Sequence, residues 1–325
     1  MKFFALFFSI FISNLNAYSI VFIHIGPELP DYLPVAIEQA RLFNKECPIY
    51  LVGNQNAFKN TQLQVDETVH CIPCETLIPS KSHCLFRSHS KHDRKAFQGF
   101  WTFTSERFFY LEELVNQYNL EDVFHLENDV MLYADLNDSL PLFHQYYSEK
   151  IGATFDNEAR CIPGFVYISN SKPIKELVKF MAGRAVAAKN DMEIFQEFKN
   201  TYDQLYIDNL PIVIPEYCWD HVLRNAMGNI AKHPSRFSQN FTAFQSIFDA
   251  AAIGQYLGGI SPRNGSLAPG FINESCFFDP SLFSYEWKKD REDRLIPFIQ
   301  YKGAEYPINN LHIHSKKLLF FSSKR

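Results

Sequence analysis

Three short stretches carry residues whose types and spacing suit chemistry. The first is Glu127-Asn128-Asp129, which follows the apolar run Val123-Phe124-His125-Leu126 directly. Two carboxylates two residues apart repel each other, and burial would push one of them toward protonation. A divalent cation removes that conflict; it also neutralises a diphosphate and steadies charge on a leaving group. Glu-x-Asp is common by chance, so its placement must decide between a metal site and a solvated loop. The second stretch is Leu311-His312-Ile313-His314-Ser315-Lys316-Lys317. Read as a strand, it puts both imidazoles on one face, with two cations close behind. Imidazole beside carboxylate oxygen suits manganese better than magnesium or calcium; the alternative is a pair of structural histidines. The third runs from Phe248 to Gly259 and is rich in small residues that let a helix approach closely. Asp249 at its start is either a helix cap or a base facing an acceptor hydroxyl. Asn190-Asp191-Met192-Glu193 is a competing acidic cluster that also caps well.

The elements that must position these residues read as a βαβ pattern. Ser19 to Ile25 is a nearly all-apolar run, as in a strand buried on both faces. Leu33, Ala36, Ile37, Ala40 and Phe43 recur at helical spacing. Ile49 to Val52 and Thr68 to Ile72 supply further strands. Phe100 to Tyr118 predicts a long helix with two apolar stripes, one of them containing Arg107, while Glu106, Glu112 and Glu113 fall on the solvent side. An Arg within an apolar face needs an anionic partner, either a structural carboxylate or a ligand's phosphate or carboxylate. The strand from Asp122 to Leu126 then delivers the two carboxylates to its C-terminal end, the edge where open α/β sheets bind ligands. Strands at Ile151 to Thr154 and Gly164 to Ser169 and a helix at Ile174 to Met181 follow. From Asp191 helices dominate, ending in Phe248 to Leu257, and the tail from Ser281 to Leu319 returns to short strands. The fold class is therefore α/β, with a mixed, mostly parallel sheet flanked by helices.

Composition bounds the function. With 325 residues, 46% of them hydrophobic and 21% charged, the chain can bury a sizeable core. A net charge of −5 speaks against a nucleic-acid partner, which needs a basic face. Lys2, the apolar stretch Phe3 to Ile12 and the small Ala17 resemble a signal peptide over residues 1–17, cleaved before Tyr18. The stretch is shorter than the roughly 20 apolar residues of a membrane-spanning helix. Export, or attachment by an uncleaved leader, is expected; the alternative is a buried first strand. Residues 18–325 show no linker, so one domain is expected, with a nucleotide-binding half at about 18–170 and an acceptor half at about 171–325. Seven cysteines, among them the Cys71/Cys74 pair, form no convincing zinc pattern and allow either a local disulfide or free thiols.

An apolar strand ending in an acidic-x-acidic triplet resembles the DxD element of GT-A glycosyltransferases, here with Glu in the first position. The resemblance implies a GT-A-like (Rossmann-like) fold and transfer of a sugar from a nucleotide-diphosphate sugar to a carbohydrate or glycoconjugate acceptor. It makes Asp129 a metal ligand and Glu127 its auxiliary, with Asn128 between them beside the donor. It assigns a C-terminal His to the metal, His314 first because Lys316 and Lys317 follow it closely, and His312 otherwise. Those lysines and Arg107 would hold the diphosphate. Ile162-Pro163-Gly164-Phe165 is similar to the family's strand after the DxD element, where Gly164 lets backbone approach the donor sugar. His24 ends the first strand, where such enzymes seat the nucleobase, and Asp249 would be the base. The implied cofactor is a divalent metal, manganese before magnesium. Two other functions fit the same residues: a non-catalytic GT-A-like carbohydrate-binding exported protein, and a metal-dependent hydrolase.

Overall fold

A computed structural model describes residues 18–60, 68–92, 99–261 and 265–324. The expected leader, residues 1–17, lies outside them. In chain order the elements are β1 (Ser19–His24), α1 (Leu33–Phe43), β2 (Ile49–Gly53), α2 (Gln55–Asn60), β3 (Val69–Pro73), α3 (Lys81–His89) and α4 (Phe100–Tyr118). Next come β4 (Val123–Leu126), β5 (Val130–Leu132), α5 (Leu136–Tyr147), β6 (Ile151–Phe155), β7 (Cys161–Ile168), α6 (Ser171–Arg184), α7 (Asp191–Thr201) and β8 (Ile207–Asn209). The last part holds α8 (Pro215–Asp220), α9 (Phe241–Phe244), α10 (Ala252–Gly258), β9 (Ser284–Lys289), β10 (Leu295–Tyr301), β11 (Ala304–Pro307) and β12 (Asn310–His312).

Seven strands form the central sheet in the order β3-β2-β1-β4-β7-β6-β8. All neighbours are parallel except β7, which runs against both β4 and β6. Alternate side chains of β1 explain why its sequence is apolar throughout. Ile20 and Phe22 enter one core with α1 and α5, while Val21 and Ile23 enter the other with α4, α6 and α7. Helices therefore cover both faces, and the mixed, mostly parallel α/β class expected from the sequence is the one observed. Two small sheets stand apart: a β9–β10–β11 meander, and the antiparallel pair β5–β12.

Three local expectations change. Glu106, Glu112 and Glu113 are buried, because α4 is covered on both sides and its polar face meets α3. The C-terminal strand ends at His312 instead of running to His314. The segment after Phe248 turns helical only at Ala252, after Ala251 takes a left-handed φ of 65°. Beyond α7 come irregular stretches and short helices, two of them opened by Pro215 and Pro234 at the first helical position.

Candidate metal centre

The site is built by two strand pairings. Between β1 and β4 the order of the sheet reverses, with β2 and β3 on one side and β7 on the other. Such a switch point opens a crevice at the C-terminal ends of the strands. Glu127 follows β4 immediately, and its N–H donates to the Gly164 carbonyl at 2.8 Å, pinning the acidic triplet to β7. His24, ending β1, lies 3.1 Å through Nδ1 from the Asn128 amide nitrogen. The second pairing is β5 against β12, which sets His312 opposite Val130. Ile313 N–H then donates to the Asp129 carbonyl at 2.8 Å. Residues far apart in the chain meet because a three-residue ladder holds them in register; a slip of one would turn His312 to the other face.

His312 Nε2 stands 3.1 Å from Glu127 Oε2 and 3.2 Å from Asp129 Oδ2. One ligand atom from each of Glu127, Asp129 and His312 lies within 4.8 Å of the others. Lys316 Nζ rests on the same Asp129 oxygen. Lys316 has a φ of 64°, a region that side-chain-bearing residues seldom enter; the turn it makes directs its ammonium back toward the triplet. On the far side Arg107 forks between Glu127 Oε1 at 2.5 Å and Asp191 Oδ2 at 2.9 Å. The anionic partner that Arg107 requires is thus a carboxylate on each hand. Three cationic side chains face three acids.

Electrostatics follow from this crowding. Burial opposes the charge on Asp129, but His312 and Lys316 outweigh it and hold its carboxyl well below the carboxylate range. Burial likewise opposes the charge on Glu127, and Arg107 and then His312 bring it down. For His312 burial favours the neutral ring, yet the two carboxylates on Nε2 push it up to about 10. Burial and then Lys316 draw His314 down to about 4. Its Nδ1 accepts the Ser261 N–H at 3.1 Å, so the two histidines separate: His312 joins the acids and His314 turns to the loop after α10.

Asp249 lies behind His312. Its Oδ1 accepts the Ile253 N–H at 2.9 Å; Oδ2 accepts those of Gly254 at 2.9 Å and His312 at 3.0 Å. A single buried carboxylate therefore ties the start of α10 to the backbone of the histidine. Gly254 makes the approach possible, since a Cβ there would fall 2.1 Å from the His312 carbonyl oxygen. Gly164 does the same for the ring, where a Cβ would sit 2.7 Å from His312 Nδ1. Sequence reading found the small residues and the acid but not what they serve. It also missed Tyr32, whose ring lies 5.7 Å below the Lys316 ammonium. Lys317 is exposed. Trp219 is exposed, and Trp287 packs edge-on against Tyr133 at 5.3 Å. The cysteines are free thiols.

A divalent cation fits these residues. Two carboxylate oxygens and one imidazole nitrogen converge on one point, a mixed O/N donor set of the kind that binds first-row divalent ions. The imidazole lies between the two carboxylates, and a cation bound there would offset their mutual repulsion. His312 Nδ1 has no hydrogen-bond partner among the described residues and faces Gly164. Packing and the backbone grip of Asp249 orient the ring, where other histidine sites use a hydrogen bond to the second nitrogen.

Fold and site together define a mixed, mostly parallel α/β protein with a Glu-Asp-His cluster at the switch point of its sheet. The chain is similar over parts of its length to solved glycosyltransferases. Mouse xyloside xylosyltransferase 1 shares 9% identity over 60% of this chain and 85% of its own, with a TM-score of 0.42. The galactosyltransferase LgtC with donor and acceptor sugar analogues shares 13% over 62% and 77%, with a TM-score of 0.40. GlyE of Streptococcus pneumoniae TIGR4 shares 16% over 63% and 48%, with a TM-score of 0.38. No protein-family model and no curated protein matches the chain.

Proposed function

We propose that the protein is a metal-dependent glycosyltransferase that moves a sugar from a nucleotide-diphosphate sugar to an acceptor hydroxyl. The observation that carries the proposal is the meeting of Glu127, Asp129 and His312 around one point at the sheet's switch point. These three residues would hold the cation, with manganese preferred for its tolerance of nitrogen beside oxygen. Bound there, the ion supplies Lewis-acid stabilisation of a leaving diphosphate. The chain's own residues do the rest. Lys316, now on Asp129, is placed to turn to a phosphate oxygen when the carboxylate is taken, and the exposed Lys317 beside it adds a second cation. Arg107 keeps Glu127 ionised and aimed. Asn128, bound to His24, faces the end of β1, where the base of a nucleotide would lie. We assign Asp249 to positioning His312, because both its oxygens are occupied by backbone donors. The leader expected at residues 1–17 places this activity in an exported protein.

The test is a panel of nucleotide-diphosphate sugars with Mn²⁺, scored by release of nucleoside diphosphate. Turnover should vanish with a chelator and fall by at least about 10³-fold in Asp129→Ala, the loss of roughly 4 kcal/mol of transition-state stabilisation. Retained turnover in that variant would defeat the metal assignment. Metal-dependent ester hydrolysis without any use of nucleotide sugars would point to a hydrolase instead.

A further inference from the structure

β4 and β6 both run against β7, and β8 runs with β6, so the ends of β6 and β8 open on the same edge of the sheet as Glu127. There, beyond the candidate metal centre, lies a cleft of about 260 Å³. α7 joins the two places. Its first residue, Asp191, binds Arg107 of the metal centre, and Lys199, eight residues on and about 12 Å along the helix, lines the cleft.

The cleft is cationic. Lys199, Lys232, Arg236 and His233 line it against one acid, Glu158, whose carboxylate already accepts the N–H groups of Lys232 and His233 at 2.6 and 3.1 Å. Arg236 pairs with the half-exposed Asp203 at the rim. Lys232 has no ion pair among the described residues. Lys199 is the unusual member: only 4% exposed, it lies 4.2 Å over the Phe155 ring, and its ammonium is hydrogen-bonded to the neutral Asn209 amide. The nearby Asp208 carboxylate faces Lys150 at 3.7 Å. A buried ammonium without a bonded carboxylate is costly unless something anionic completes it. Beside it the Gln196 side chain, 7% exposed, donates to Asn200 and leaves its other end without a partner among the described residues.

We propose that this cleft binds the anionic group of a sugar, a phosphate or a carboxylate, with Lys199 and Lys232 on the anion and the free end of the Gln196 amide on a neighbouring hydroxyl. On the transferase reading, on which this part rests, the occupant is the acceptor, held one helix away from the donor. Burial pulls the Lys199 ammonium down to about 8, a charge that an anion in the cleft would restore.

Binding can be measured without turnover. The full chain is titrated by calorimetry with inorganic phosphate and, separately, with glucuronate, using glucose as the uncharged control. Both anions should saturate, and the tighter of the two identifies the group. Affinity should fall about tenfold in Lys199→Met, as for a lost charge-assisted hydrogen bond, and about threefold in the exposed Lys232→Gln. Glucuronate, which is no analogue of the donor's diphosphate, should bind Lys316→Met and Asp129→Ala as it binds the parent. Should Lys199→Met not fold, Lys232→Gln carries the test, since its side chain is in solvent. The subsite is refuted if neither anion saturates, or if affinity falls in Lys316→Met and holds in Lys232→Gln. Loss of nucleotide-sugar turnover with anion binding intact in Asp129→Ala leaves the subsite standing, whatever becomes of the transferase reading.

Discussion

Among the described residues, two histidines each bridge a pair of acids, and one of the two arrangements gathers three atoms that could hold a metal ion. His83, from α3, uses both ring nitrogens: Nδ1 lies 2.7 Å from Glu113 and Nε2 3.0 Å from Glu106. The acids are on opposite sides of the ring, seven residues apart on α4, and the ring stacks on Phe109 with centroids 5.2 Å apart. Arg87 closes the cluster on Glu106. Every direction around His83 is filled, so the cluster fastens one helix to another. His312 instead receives both acids on Nε2 alone. Three atoms able to ligate a cation then share one centre. Each cluster sets one imidazole between two carboxylates. Which nitrogens face the acids separates a clamp from a ligand set.

The largest effects should sort the two apart. His312→Ala removes a ligand and should lower metal-dependent turnover by at least about 10³-fold. His83→Ala strands two buried carboxylates beside Arg87 and should cost about 3–5 kcal/mol of stability, read from denaturant melts, while turnover per folded molecule is unchanged. If His83→Ala abolished turnover in protein shown to be folded, the division between clamp and centre would fail.

A smaller, graded effect comes from the proton on His312. Its pKa is raised on folding, so metal-free protein gains from this group in full below the ring's ordinary pKa near 6.5. That gain drains away as pH climbs toward about 10. The His83 ring is also pushed up: burial opposes the charge, and Glu106 and Glu113 overcome it. Stability of the metal-free protein should therefore fall from pH 6.5 upward through both clusters. Only one of them also responds to metal. Coordination requires the His312 proton to leave, so Mn²⁺ affinity should rise by up to about tenfold per pH unit over the same range. The slope should disappear in His312→Ala and persist in His83→Ala. A Mn²⁺ affinity flat with pH in the parent protein would remove His312 from the ligand set.

Much of this was legible in the sequence, for reasons that differ from residue to residue. The α4 boundaries at Phe100 and Tyr118 follow from two uninterrupted apolar stripes, and the same periodicity exposed Arg107 as a buried cation in need of an anion. The acidic triplet could be placed because a four-residue apolar strand leaves no doubt where its end lies. The choice between His312 and His314 was not legible. It depends on where β12 stops, and β12 stops opposite Val130, where its antiparallel partner β5 begins, a property of pairing and not of the local residues. The burial of Glu106 and Glu113 was missed because a helix covered on both sides has no solvent face; their spacing of seven, with His83 upstream, was the available signal. Asp249 was read as either a cap or a base, and its carboxylate spans α10 and β12 at once. The basic cleft at Lys199 has no motif at all, since its walls come from α7, the end of β8 and the loop near Arg236.

The smallest expected effect is the sharpest test of how the His312 ring is held. Gly164 lies in β7, an extended strand where alanine is sterically acceptable for the backbone. Gly164→Ala therefore acts through its Cβ alone, which would stand 2.7 Å from His312 Nδ1, 3.1 Å from Cε1 and 3.4 Å from Val130. A contact that close is outside what real Cβ atoms show, so the ring must shift, in the direction of the carboxylates that crowd Nε2. Overpacking of this kind costs about 1–3 kcal/mol of stability, and a displaced ligand should weaken Mn²⁺ binding by about tenfold, as disturbed support of metal ligands does elsewhere. Because the ring carries no hydrogen bond on Nδ1 among the described residues, packing against Gly164 is what keeps Nε2 on the point it shares with Glu127 and Asp129. Mn²⁺ titration followed by electron paramagnetic resonance reads the affinity, and a thermal melt reads the stability. A loss of stability with affinity unchanged would show that the ring finds the same point without the glycine's help, and would leave the backbone grip of Asp249 as the element that positions it.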